Sequence, residues 1–245
     1  MIIQFVSDEA YLAFNTSLAV VGAAAGITAL ILSILLLKKY SINKSQAILY
    51  LGLAFLLFAV GIVSALPIFI FVELALIKFT YAIAKTLGVL AVSCYLKFSI
   101  EIFYPREKKN VIFRWIQVIF FILNETLLLV HYILEINHIL MTGLPLIPPT
   151  IIVIQEIIMS IPFLGMFILA YKIAKKSSVQ KDKFALHLIG ISGLLNFGSY
   201  FLFALNDLVV KMNYFPLVGW ILALIGFILF YIGVARPKMF FKKYD

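Results

Sequence analysis

The chain has 245 residues, of which 64% are hydrophobic and 13% are charged, and its mean hydropathy is +1.12. Soluble domains carry about 25% charged residues, so this composition excludes a soluble globular protein and indicates an integral membrane protein. The formal net charge is +9. We do not expect nucleic-acid binding, because the basic residues fall in short clusters between apolar runs, as membrane topology requires.

Seven apolar runs are each long enough to cross a hydrocarbon core, which takes about 20 helical residues. They cover approximately residues 17–37, 47–71, 74–104, 111–134, 149–170, 184–205 and 216–235. The sequence therefore predicts an all-α polytopic membrane protein, with residues 1–245 forming one domain of seven transmembrane helices. Asp8 and Glu9 precede the first run where a signal peptide would be basic, so we expect this span to be retained.

The basic residues predict the orientation of the chain. Of the 20 Lys and Arg residues, 17 lie at the ends of the first, third, fifth and seventh spans, and the others are Lys78, Lys85 and Lys211. Positive loops face the cytoplasm, so we expect the N-terminus outside, the C-terminus in the cytoplasm and a multi-pass location in the cell membrane. Anionic lipid head groups are expected partners of this basic face.

The third span carries two lysines inside its apolar run, which extends over Phe71–Tyr104. Lys78 and Lys85 are seven residues apart and therefore share one helical face. A cation deep in a membrane segment marks a functional site by default. The depth of Lys85 depends on whether the span leaves the membrane near Lys97 or near Tyr104.

Polar residues in the other spans predict a pocket that would open outward between the third and sixth spans. Depth counted at about 1.5 Å per residue places Glu125, Glu156 and Lys85 near one level. We predict Lys85 at the centre with the two glutamates as partners. Lys78 would lie towards the outer head groups, and hydrogen-bonding walls would come from Asn124, Gln155 and Asn196. The alternative is that these groups join helices, each contributing about 1 kcal/mol.

No catalytic, metal or cofactor motif is present in the sequence. There is no HExxH or GxSxG, and every Asp lies in a loop or at a terminus. His131, Glu135 and His138 leave ligand geometry unconstrained, so we predict no metal site. The single Cys94 lies inside an apolar run and is interpreted as a packing residue.

The first three and last three spans share an order of features. Leu35–Lys39 precedes the second span as Leu169–Lys172 precedes the sixth, and the third and seventh spans end on Tyr104-Pro105-Arg106 and Ala235-Arg236-Pro237. Two parallel repeats around one inverting span would have this form. Chance similarity between Leu- and Ile-rich helices explains it equally well.

The layout resembles three groups of seven-span proteins. It is most similar to the sensor regions at the N-terminus of prokaryotic histidine kinases, which share its length, orientation and short basic loops. It looks like microbial rhodopsins in topology, but the span over Leu217–Ala235 lacks their retinal lysine. It is also similar to sugar-efflux facilitators with three-one-three repeats, without their Pro-Gln signature.

These patterns predict a stand-alone receptor or sensor that binds a small or lipidic ligand in the outer half. It would signal to a cytoplasmic partner through the basic loops. The alternatives are a small-solute or ion facilitator with a 3+1+3 repeat, and a structural subunit of a membrane complex. The sequence leaves the ligand and the oligomeric state open.

Overall fold

The computed structural model describes residues 8–65, 74–104, 106–142, 150–208 and 214–236. These residues form helices and short connections, and no strand occurs in these ranges, which confirms the all-α prediction. The helices are α1 (Asp8–Asn43), α2 (Gln46–Ala65), α3 (Leu74–Phe103), α4 (Arg106–Thr142), α5 (Thr150–Lys176), α6 (Gln180–Leu208) and α7 (Phe215–Ala235).

Each of the seven helices contains a stretch long and apolar enough to cross a membrane, as predicted. Several helices exceed their apolar runs: α1 continues to Asn43, and α4 extends from Arg106 to Thr142. Hydropathy locates only the hydrocarbon layer, whereas backbone hydrogen bonding continues into polar residues beyond it. The predicted end of the second span, with Pro67, lies outside the described residues. Pro162 lies buried inside α5.

The helices form a ring in chain order that closes through α1 and α7. α3 also contacts α5 directly, so α4 packs outside the contact between them. The face that α4 turns away from the bundle is strongly apolar and includes Trp115, which is 61% exposed, with Ile119 and Leu129. In a membrane this face would contact lipid tails.

The helix contacts of the first three helices recur in the last three. The contacts α1–α2 and α2–α3 correspond to α5–α6 and α6–α7, and the contact α1–α7 corresponds to α5–α3. α1 and α5 run in the same direction because an even number of crossings separates them. The contacts therefore divide six helices into two three-helix units, α1–α3 and α5–α7, that share one order of contacts, with α4 outside them.

Burial along α1 and α5 follows the same correspondence. Six of the seven buried positions in Thr16–Asn43 are buried again 134 residues later in α5, and α2 and α6 begin at the same offset, at Gln46 and Gln180. The six pairs are Gly22/Glu156, Ala25/Met159, Gly26/Ser160, Ala29/Phe163, Leu32/Met166 and Leu36/Ala170. The offset matches the one that relates Lys38 to Lys172 in the sequence.

α1 and α2 approach each other closely because small residues line their contact. The Ser33 hydroxyl donates a hydrogen bond to the Gly52 carbonyl oxygen at 2.8 Å, and both residues are buried. A Cβ atom at Gly52 would lie 2.9 Å from Leu37 Cδ2, which is too close for an unshifted side chain. This contact fixes the relative position of the two helices.

Candidate functional site

A cavity of about 430 Å³ lies within the half of the bundle where α1, α3, α5 and α7 begin. We call this end the N-terminal side, and the opposite end, which carries the Lys- and Arg-rich loops, the basic side. The cavity is lined from six helices, α1, α2, α3, α5, α6 and α7. Its size falls in the range of small-molecule sites, roughly 300–1,000 Å³.

Lys85 and Glu156 form an ion pair on the cavity wall. Lys85 comes from α3, its ammonium contacts Glu156 Oε1, and the two side chains are 18% and 4% exposed. The pair bridges the direct contact between α3 and α5. A charge at this depth requires a partner, which explains why a lysine and a glutamate occur in otherwise apolar helices.

One face of α6 supplies uncharged polar groups to the cavity. Asn196, Ser199, Tyr200 and Asn206 all line it. The last three follow Asn196 by three, four and ten residues, which keeps all four near one side of the helix. Asn196 Nδ2 donates a hydrogen bond to the Ser192 carbonyl at 2.9 Å. This face combines hydrogen-bonding capacity with zero net charge.

The remaining wall is largely aromatic and aliphatic. The Trp220 ring lies 5.2 Å from that of Phe203, and the Phe58 ring lies 5.4 Å from that of Phe227. Gly22 also lines the wall, and a Cβ atom added there would meet nothing within 4 Å. A ligand in this cavity would therefore contact mostly carbon atoms, with a few polar groups fixing its orientation.

An aromatic cluster closes the bundle between the cavity and the basic side. The Tyr95 ring lies 4.6 Å from the Phe163 ring and 4.8 Å from the Phe230 ring, and Phe98 lies 5.1 Å from Phe230. All members, Phe55, Tyr95, Phe98, Phe163 and Phe230, are at most 1% exposed. Tyr95 follows Lys85 by ten residues, or about 15 Å along α3. The cluster therefore forms a packed layer beneath the cavity.

Asn124 and Gln155 lie at the contact between α4 and α5, and neither lines the cavity. Both are fully buried, and Gln155 Nε2 donates a hydrogen bond to the Asn124 carbonyl at 3.4 Å. Asn124 Nδ2 donates to the Phe120 carbonyl at 2.7 Å. Their geometry is that of polar groups joining two helices.

Of the other predicted site residues, some line the cavity and some do not. Asn196 lies on the cavity with Lys85 and Glu156. Glu125 is half-buried on α4, away from the residues that line the cavity, and its Oε1 has no hydrogen-bond partner among the described residues. The Lys78 side chain lies outside the described residues. The three residues that the structure brings together are thus Lys85, Glu156 and Asn196.

The residues that α1, α2 and α7 contribute to the cavity carry no signal of a pocket in the sequence. Trp220 and Phe227 of α7 and Gly22 of α1 line the cavity, but in sequence they are ordinary residues of apolar spans. Their participation depends on the closure of the ring between α1 and α7. One exception is the stretch Gly22-Ala23-Ala24-Ala25-Gly26 of α1, because a run of small residues lets a neighbouring helix approach closely.

The cavity wall combines one internal ion pair with neutral polar and apolar side chains. Among the described residues, no group of three His, Cys, Asp or Glu side chains is arranged to hold a metal ion.

The chain matches no protein-family model, no curated protein and no solved structure. Its class therefore rests on its own architecture. Seven helices long and apolar enough to span a bilayer make it a multi-pass α-helical membrane protein.

Proposed function

We propose that the protein is a membrane receptor or sensor that binds a small, mostly apolar ligand in the cavity on its N-terminal side. The observation that carries this proposal is the cavity of about 430 Å³ between six helices, with one ion pair on its wall. The N-terminal side would face outward and the basic side the cytoplasm, as the positive loops indicate.

The contacts of the cavity support transmission to the basic side. Glu156 and Met159 of α5 line the cavity, and Phe163, one turn further, belongs to the aromatic cluster. Phe227 lines the cavity and lies 5.2 Å from Phe55 in the cluster. A ligand that moves α5 or α7 would therefore repack the cluster, since packed cores change between discrete arrangements.

The basic side holds α7 in place through two neighbouring helices. Lys39 Nζ of α1 donates hydrogen bonds to the Val234 and Ala235 carbonyls at 3.3 and 2.9 Å, and Arg236 pairs with Asp182 of α6 at 2.5 Å. These contacts would couple a shift of α7 to the basic loops, where we place contact with a cytoplasmic signalling partner. The proposed class corresponds to the resemblance to seven-span sensor regions.

Ligand binding can be tested with Trp220 as the reporter. The chain has two tryptophans, and Trp115→Phe leaves only the one on the cavity. We expect saturable quenching of Trp220 fluorescence by ω-bromoundecanol in lipid nanodiscs. Gly22→Phe should abolish the saturable component because the new side chain would enter the cavity.

Gly165→Phe is the matched control for that experiment. Gly165 also has no atom within 4 Å of an added Cβ, and it does not line the cavity. Quenching should stay saturable in this variant. Quenching that rises linearly in the parent, or that survives unchanged in Gly22→Phe, would contradict binding in the cavity.

A small-solute or ion facilitator is a second candidate, and the recurring helix contacts favour it. Parallel repeats occur in transporters, where the substrate site lies between the repeats and one repeat moves against the other. Here the Phe98–Phe230 contact joins the third helices of the two units. Phe98 and Phe230 occupy equivalent positions in these two helices. Each lies five residues before the end of its helix, at Phe103 in α3 and Ala235 in α7.

Flux in proteoliposomes separates the two candidates. A facilitator should carry sugars, amino acids or protons at a rate that Gly22→Phe reduces and Gly165→Phe does not. Saturable ligand binding without flux of any of these solutes would favour the receptor.

A further inference from the structure

We infer that the cavity selects amphiphiles with an uncharged, hydrogen-bonding head group, such as a hydroxyl, over carboxylates and amines of equal chain length. This inference rests on the proposed ligand-binding function of the same cavity. It follows from the ion pair on the cavity wall and from the neutral polar side chains that α6 contributes to the same wall.

Lys85 and Glu156 are the charged residues among the described residues that line the cavity, and they are paired with each other. Their net contribution is therefore zero. A carboxylate ligand would have to compete with Glu156 for the Lys85 ammonium. That competition would leave the Glu156 carboxylate, whose side chain is 4% exposed, without its cation. An amine ligand would compete for Glu156 in the same way and leave the Lys85 ammonium without that carboxylate. A ligand of either charge is therefore disfavoured in a low-dielectric site.

A neutral head group meets no such competition. The polar face of α6 places four neutral polar residues on the wall of the same cavity: Asn196, Ser199, Tyr200 and Asn206. These groups donate and accept hydrogen bonds without a net charge. The apolar part of the ligand would lie against side chains such as Phe58, Phe203 and Trp220. A hydroxyl on a long hydrocarbon matches both parts of the wall.

The experiment compares ω-bromoundecanol, ω-bromoundecanoate and ω-bromoundecylamine at mildly alkaline pH, with Trp220 in Trp115→Phe protein as the reporter. Nanodiscs of zwitterionic lipid prevent selection by surface charge. The partition of each probe into empty nanodiscs is measured separately. Corrected for partition, the alcohol should bind at least about tenfold more tightly than either charged probe.

Two variants should change the order of affinities for the three probes in opposite directions. Glu156→Gln leaves the Lys85 cation without its carboxylate, so the carboxylate probe should become the tightest ligand, gaining roughly 100-fold. Lys85→Gln should favour the amine. The matched control is Glu101→Gln, because Glu101 pairs with Lys97 outside the cavity. This variant should keep the parental order.

The outcomes separate this inference from the proposed function. Equal corrected affinities for the three probes in the parent protein would overturn the head-group selectivity, and this result needs no variant to fold. An order unchanged by Glu156→Gln in folded protein would overturn the role of the ion pair. Loss of all three affinities in Gly22→Phe would still support the cavity as the binding site. Binding of all three probes that Gly22→Phe leaves intact would overturn the proposed function itself.

Discussion

Lys85 of α3 and Glu156 of α5 are 71 positions apart in the chain and form an ion pair on the wall of one cavity. The pair joins the two three-helix units at the contact between α3 and α5. Since the two side chains are mostly buried, each depends on the other for a favourable environment.

Removal of one partner of this pair should destabilise the protein strongly. Lys85→Met deprives Glu156 of its cation, and breaking a buried pair costs about 3–5 kcal/mol. The double variant Lys85→Met/Glu156→Leu should recover most of this loss because it removes both charges. Thermal unfolding can be followed with a fluorogenic maleimide that reacts with Cys94, the only cysteine in the chain. Asp182→Asn breaks the pair with Arg236, whose side chains are 42% and 40% exposed, and should cost less than about 1 kcal/mol. A double variant less stable than Lys85→Met would contradict this account.

Gly193→Ala should lower the stability of the contact between α5 and α6. An added Cβ would lie 2.7 Å from the Phe163 carbonyl oxygen and 3.1 Å from the Phe167 backbone nitrogen. Backbone atoms cannot rotate away, so the helices must separate, at about 1–3 kcal/mol. The same maleimide assay should show a lower unfolding temperature.

The control is Gly165→Ala on α5, where the new Cβ meets no atom within 4 Å. Gly165→Ala should be neutral or stabilising because alanine favours helix, and equal losses in both variants would refute the steric explanation.

Lys39→Met should loosen the last turn of α7. The Lys39 ammonium binds the Val234 and Ala235 carbonyls, which lack helical partners at the end of α7. A cation at a helix C-terminus contributes about 0.3–1 kcal/mol. Hydrogen–deuterium exchange should therefore become several-fold faster in the peptide that ends α7. Lys38→Met serves as the control because Lys38 is exposed on the same turn of α1. Unchanged exchange in Lys39→Met would show that the Lys39 contact does not stabilise the end of α7.

The orientation predicted from the basic loops can be tested with the single cysteine removed. On a Cys94→Ala background, we expect Ser178→Cys on the basic side to resist a membrane-impermeant maleimide in intact cells. Thr150→Cys at the start of α5 should react. Both positions are exposed, so a difference reports the side of the membrane. Labelling of Ser178→Cys alone would reverse the orientation.

The number and approximate bounds of the helices were predictable because each apolar run is a local property. A stretch of about 20 apolar residues in lipid must satisfy its own backbone hydrogen bonds and therefore becomes a helix. The helix ends were less predictable. α4 begins at Arg106, whereas its apolar run begins near Val111, because polar residues continue a helix beyond the hydrocarbon layer.

The sequence predicted only part of the site. Depth along the spans brought Lys85 and Glu156 to a similar level, since rise per residue is constant. Depth does not specify which way a side chain faces, and Glu125 at a similar level lies on α4 outside the cavity. The difference is tertiary: α3 packs directly on α5, and α4 packs outside them.

The sequence by itself determined that this protein is a membrane protein with seven spans, because hydrophobicity and length act segment by segment. Only the tertiary structure decided which polar groups meet. It joined Lys85 to Glu156, placed α7 and α1 around the same cavity, and left Asn124 and Gln155 at a separate helix contact. Those outcomes depend on helix rotation and neighbour order, which arise from side-chain packing between segments distant in the chain.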